Sequence, residues 1–105
     1  MMTTKNPYAI YEAVAAALHA ATGWRCTVEG PHCPHVLVAV PTGEFWCVGD
    51  ALETWGADHY ASQDALEHGM PSGRTFDTGL LEAAGGATIA AAVLEQIRTT
   101  PAVTP

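Results

Sequence analysis

Basic residues are the scarcest class in this chain: one lysine, Lys5, and three arginines stand against eleven acidic residues. A surface that binds nucleic acid or an anionic membrane must neutralise phosphate with lysine and arginine, so the composition argues against both as direct partners. A run of about 18 apolar residues, the length of a membrane-crossing helix, is also missing. The first residues, Met-Met-Thr-Thr-Lys-Asn-Pro, lead to a helix interrupted by Glu12 rather than into an apolar signal core, which points to a cytoplasmic protein. Cysteine is sparse. Three unevenly spaced thiols, Cys26, Cys33 and Cys47, make no disulfide framework. There is no phosphate loop, dinucleotide fingerprint, paired Cys-x-x-Cys or nucleophile elbow, and no cofactor is implied.

What the chain does have is a concentrated charge imbalance. Residues 44 to 82 hold Glu44, Asp50, Glu53, Asp58, Asp64, Glu67, Asp77 and Glu82 with the single base Arg74, a balance of −7 that equals the net charge of the whole chain. In the flanks Glu12, Glu29 and Glu95 are matched by Lys5, Arg25 and Arg98. The same stretch carries Trp46, Trp55, Tyr60 and Phe76, so acid and aromatic residues are interleaved. Apolar residues make up 49% and charged residues 14%, a ratio that belongs to a folded chain rather than a disordered one. Much of that apolar share is alanine, so the core rests on a few large side chains. Abundant alanine, glycine and threonine with one lysine is the bias of proteins from GC-rich bacteria or their phages, and it carries no mechanism.

The 105 residues form one small domain, 1–105, with frayed ends at 1–5 and 100–105. Asn6 and Pro7 suit the N-cap and first position of a helix, which runs to about Ala21 and ends at Gly23. Ile10, Tyr11, Val14, Leu18 and Ala21 lie on one helical face. From Trp24 to Glu29 apolar and polar residues alternate, the mark of a half-buried strand. The run Val36 to Val40 is short and β-branched and reads as a central strand. Pro41-Thr42-Gly43 turns the chain into a third strand from Glu44 to Val48. Thr54 to Tyr60 suits a fourth strand, at an edge. Ser62 to His68 reads as a short helix capped by Ser62, Arg74 to Leu81 is ambiguous, and Ala87 to Thr99 forms a second long helix with Ile89, Val93, Leu94 and Ile97 on one side. The fold expected is α+β in two layers: an antiparallel meander of three to four strands, packed by an N-terminal and a C-terminal helix.

Four constellations bear on function. Cys26, His32, Cys33 and His35 are zinc-type ligands, but Cys-x5-His-Cys-x-His lacks the paired spacing of zinc sites, so they are weak candidates. Cys47 or Cys33 with a histidine would need a depressed thiol pKa, which an acidic neighbourhood opposes. Asp50, Glu53, Asp58 and His59 around Trp55 offer carboxylates for a hard cation or an acid–base pair, in a spacing that demands neither. His59 and His68 each lie beside an acid, which favours the protonated ring. The fourth is a partner-binding face of Glu44, Trp46, Asp50, Glu53, Trp55, Asp58, Asp64 and Glu67. Carboxylates there steer a basic partner and exposed tryptophans anchor it.

The reading favoured is a non-enzymatic interaction protein whose acidic middle docks on a protein partner. A basic partner that itself handles nucleic acid fits the charge best. A metal-binding protein and a small enzyme or enzyme subunit are the alternatives, and a homodimer through an edge strand stays open.

Overall fold

The computed structural model describes residues 8–30 and 33–100, which form an α+β fold. Helix α1 spans Ala9–Thr22, strands β1 to β4 span Arg25–Glu29, His35–Ala39, Phe45–Leu52 and Thr54–Tyr60, and α2 spans Gln63–Glu67. Strand β5, Thr75–Asp77, a single 3-10 turn at Glu82–Ala84 and helix α3, Gly86–Thr99, complete it. The expected caps Asn6 and Pro7, residue His32 and the chain ends 1–5 and 101–105 lie outside the described residues; Thr100 caps α3 in extended conformation.

The five strands pair in the order β1-β2-β3-β4-β5, each antiparallel to the next. The expected α+β sandwich of sheet and two helices is therefore found, with one strand more than expected. The extra strand corrects the placing of Thr54–Tyr60 at an edge, because β5 lies outside it. Gly56 is what lets β5 approach: a Cβ there would stand 2.4 Å from the carbonyl oxygen of Phe76. Beyond β5 the pairing continues as single contacts, with Thr78 N–H donating to the Trp55 carbonyl at 2.7 Å and Trp55 N–H to Leu80 at 2.8 Å.

Local chemistry accounts for the element ends. The α1 helix stops at Gly23, whose φ of 74° carries the chain into the left-handed region and whose N–H donates to His19 at 2.7 Å. Ser62 caps α2 as expected, its hydroxyl accepting the Ala65 N–H at 3.1 Å. Between β3 and β4 the register shifts from Gly49 to Leu52, and Glu53 turns the chain with a φ of 75°.

Strand alternation puts Val36, Val38, Trp46, Val48, Trp55 and Ala57 on one face of the sheet, all buried. Tyr11, Val14, Ala15 and Leu18 of α1 and Ile89, Ala90, Val93, Leu94 and Ile97 of α3 close over that same face in one core. Trp46 and Trp55 are the largest side chains in it, 2% and 0% exposed. At roughly 25 cal/mol per Å² of apolar surface removed from water, two tryptophans supply much of what an alanine-rich chain cannot. The Tyr11 and Trp55 rings pack tilted with centroids 5.0 Å apart, which ties α1 to β4.

The helices touch most closely where α3 begins. A Cβ on Gly86 would stand 2.6 Å from the Cβ of Ala13 and 3.1 Å from its carbonyl carbon. Gly86→Ala is therefore expected to destabilise the domain by about 1–3 kcal/mol through overpacking. Denaturant unfolding of Gly86→Ala, Ala13→Gly and the double variant checks this: the double variant should recover part of the loss, and strict additivity would show that the contact is not the cause.

Candidate functional site

Two groups of side chains stand out, one on each face of the sheet. The first grows from His59, which alternation places on the helix-covered face beside Trp46, its partner across β3 and β4. The two rings lie tilted with centroids 4.9 Å apart, and His59 is 4% exposed. A buried imidazole needs partners for both nitrogens. Nε2 lies 2.6 Å from Glu44 Oε1 and Nδ1 lies 2.7 Å from Ser72 Oγ. Glu44 also accepts the Thr42 hydroxyl at 2.6 Å, and Arg74 Nη1 stands 3.4 Å from the same Oε1. The Arg74 guanidinium lies 5.1 Å from the centre of the Trp46 ring and donates to the Thr100 carbonyl at 3.1 Å. Backbone pairs seat the loop that brings Ser72: Ser72 N–H donates to the His59 carbonyl at 2.8 Å, and His59 N–H to Arg74 at 3.0 Å.

These contacts hold the Glu44 carboxyl below its ordinary pKa, first through the Thr42 hydroxyl, then through His59, and finally through the charges of His59 and Arg74. Burial opposes them, less than either hydrogen bond but more than either charge.

The second group lies on the opposite face, which neither long helix covers. Leu37, Phe45, Cys47 and Tyr60 form its apolar middle by strand alternation, in register across β2, β3 and β4. Phe45 is 7% exposed and the other three are half-buried. Three exposed carboxylates, Glu29 on β1, Asp58 on β4 and Asp77 on β5, share that face with Arg25 and His35 on β1 and β2. Burial pushes the Cys47 thiol up to about 11, helped by the charges of Asp58 and Glu29. Asp77 is held below its usual value by the Gly79 N–H and the Thr54 hydroxyl.

The residues expected to form a partner face are thus divided. Trp46 and Trp55 correct the expectation of exposed anchors: both are core residues, because the alternation that points Phe45 outward points Trp46 inward. Glu44 is engaged with His59, and Asp50 accepts a short hydrogen bond from the Tyr11 hydroxyl. Glu53, Asp58, Asp64 and Glu67 are exposed, and Asp58 alone of these stands on the open sheet face. Asp64 and Glu67 lie on α2, next to His68 and Gln63 respectively.

The metal candidates are not brought together. Cys26 packs against the core while His35 projects to the open face, and Cys33 is exposed in the loop before it. Among the described residues no cluster of three or more metal-ligating side chains exists. The acid–base candidates separate likewise. Asp58 and His59 are neighbours in sequence and therefore point to opposite faces, and Asp50 is occupied by Tyr11. Ser72, a partner of His59, gave no signal: it stands 13 positions further on, with a helix between. The inward phase of Trp55, Ala57 and His59 was the one available clue.

No helix of the described residues is long and apolar enough to cross a membrane. Comparison with protein-family models, with curated proteins and with solved structures finds no match.

Two outcomes follow from these environments. Because the folded-state pKa of Glu44 is depressed, its stabilisation is complete above the ordinary carboxylate value of about 4.3 and is lost as the pH falls through the lower folded value. Glu44→Gln should thus lower the melting temperature at neutral pH, and the gap to wild type should narrow as the pH falls; a gap of constant size from neutral pH into acid would contradict the assignment. Iodoacetamide at neutral pH should alkylate the exposed Cys33 well ahead of Cys47, since the thiolate is the reactive form. Peptide mapping over time reads the order.

Proposed function

We infer that this chain is an interaction domain that docks on a basic protein partner through the open face of its sheet. The observation that carries this reading is the pattern on that face: three half-buried side chains, Leu37, Cys47 and Tyr60, packed around the buried Phe45 and set among Glu29, Asp58 and Asp77. Apolar side chains at the middle of a patch supply contact energy when water is excluded, and a rim of like charge sets the partner's sign and speeds its encounter. A protein whose own groove handles nucleic acid has the complementary charge, with carboxylates standing where phosphates lie. The chain's net charge of −7 extends that attraction over the whole molecule. Three free thiols suit a reducing compartment, so the docking takes place in the cytoplasm.

The reading moves the informative substitutions away from the tryptophans, since Trp46→Ala would open the core and report on folding alone. The test is capture of the partner from host lysate, its identification, and kinetic measurement with both purified proteins. Asp58→Lys with Asp77→Lys should slow association about tenfold or more and flatten its dependence on salt. Tyr60→Ala should speed dissociation, at a cost of about 1–2 kcal/mol. Binding indifferent to all three substitutions would remove the open face from consideration, and so would binding that strengthens with salt.

A further inference from the structure

We propose that Ser72, His59 and Glu44 form a nucleophile, base and positioning carboxylate, competent for acyl transfer from small uncharged esters. The array stands on the helix-covered side of the sheet and is independent of the docking face. Three features of the geometry support it. The Glu44 carboxylate can only accept, so the hydrogen in its 2.6 Å contact with His59 sits on Nε2 although Arg74 Nη1 also stands 3.4 Å from that nitrogen, and in the neutral form of the ring Nδ1 keeps a lone pair. Ser72 Oγ lies 2.7 Å from that lone pair and also accepts the Arg74 N–H at 3.2 Å, which leaves the hydroxyl proton pointing to Nδ1. Ser72 is exposed while the base behind it is 4% exposed, so the nucleophile stands at the surface with the ring directly behind it.

This order of groups is the general pattern of an activated serine, with the ring turned so that Nδ1 rather than Nε2 faces the nucleophile. Ser72 Oγ adds to the ester carbonyl carbon as its proton passes to Nδ1, and Glu44 stabilises the resulting imidazolium through Nε2–H. Collapse of the adduct breaks the bond to the alcohol oxygen, which leaves with the proton from Nδ1. Water, deprotonated by the same nitrogen, then releases the acid and restores the serine. The site opens on the surface of a chain that carries −7, so anionic acyl groups are repelled, and Arg74 beside the array disfavours cationic ones, which leaves uncharged esters.

Diisopropyl fluorophosphate tests the array directly. Ser72 Oγ bonds to phosphorus, fluoride leaves, and the proton goes to His59. Intact mass and peptide mapping should place a single adduct on Ser72 and none on Ser62, a serine that is also exposed and whose hydroxyl caps α2. Ser72→Ala should abolish the adduct. Glu44→Gln should slow its formation about a hundredfold, with Glu44→Asp recovering part of the rate, while circular dichroism shows each variant folded. Hydrolysis of p-nitrophenyl acetate should follow the same order. An adduct spread equally over Ser62 and Ser72, no adduct at all, or a rate untouched by Glu44→Gln would each overturn the proposal.

Discussion

Two helices of 14 residues have apolar surface enough for one face of a five-stranded sheet and no more. That limit shapes the whole molecule. Once Val36, Val38, Trp46, Val48, Trp55 and Ala57 are committed to the covered face, period-2 alternation sends Leu37, Phe45, Cys47, Asp58 and Tyr60 to the other. A one-residue slip in any strand would exchange the two sets. The close approach of α3 to α1 at Gly86 and Ala13 lets two helices share one face, and the two tryptophans fill the space beneath them.

The same phase drives His59 into the core side, where an imidazole is costly unless both nitrogens are paired. The segment from Ser62 to Arg74 answers that need. It leaves β4, forms one short helix, and returns as β5 with Ser72 and Arg74 placed on either side of His59. The stretch that holds the charge excess is thus not one surface. Part of it is folded inward as a hydrogen-bonded array with Glu44 and Arg74, part is spread over α2 and the β3–β4 turn, and part stands on the open sheet face.

The fold was largely legible from the residues. Both long helices, the Gly23 stop, the Ser62 cap and the first four strands follow from local patterns that tertiary packing did not override. Strand β5 was not legible, because three residues with only Phe76 facing inward carry too little alternation to separate from a loop. The site was read less well, and for a specific reason. Trp46 and Phe45 are adjacent large aromatics, and either phase of β3 gives an acceptable strand. Only the positions of α1 and α3 decide which of them is inside.

Local sequence alone determined the element order, the charge of −7 with its concentration between Glu44 and Glu82, and the free thiols, since each depends on composition or on neighbours a few residues apart. Tertiary structure decided which face of the sheet is covered, which carboxylates meet a partner and which are held within, and that His59 meets Ser72 and Glu44. The His59 array rests on contacts between residues 13 to 30 positions apart and the covered face on helix contacts more distant still, and no local pattern encodes the phase in which distant strands close on one core.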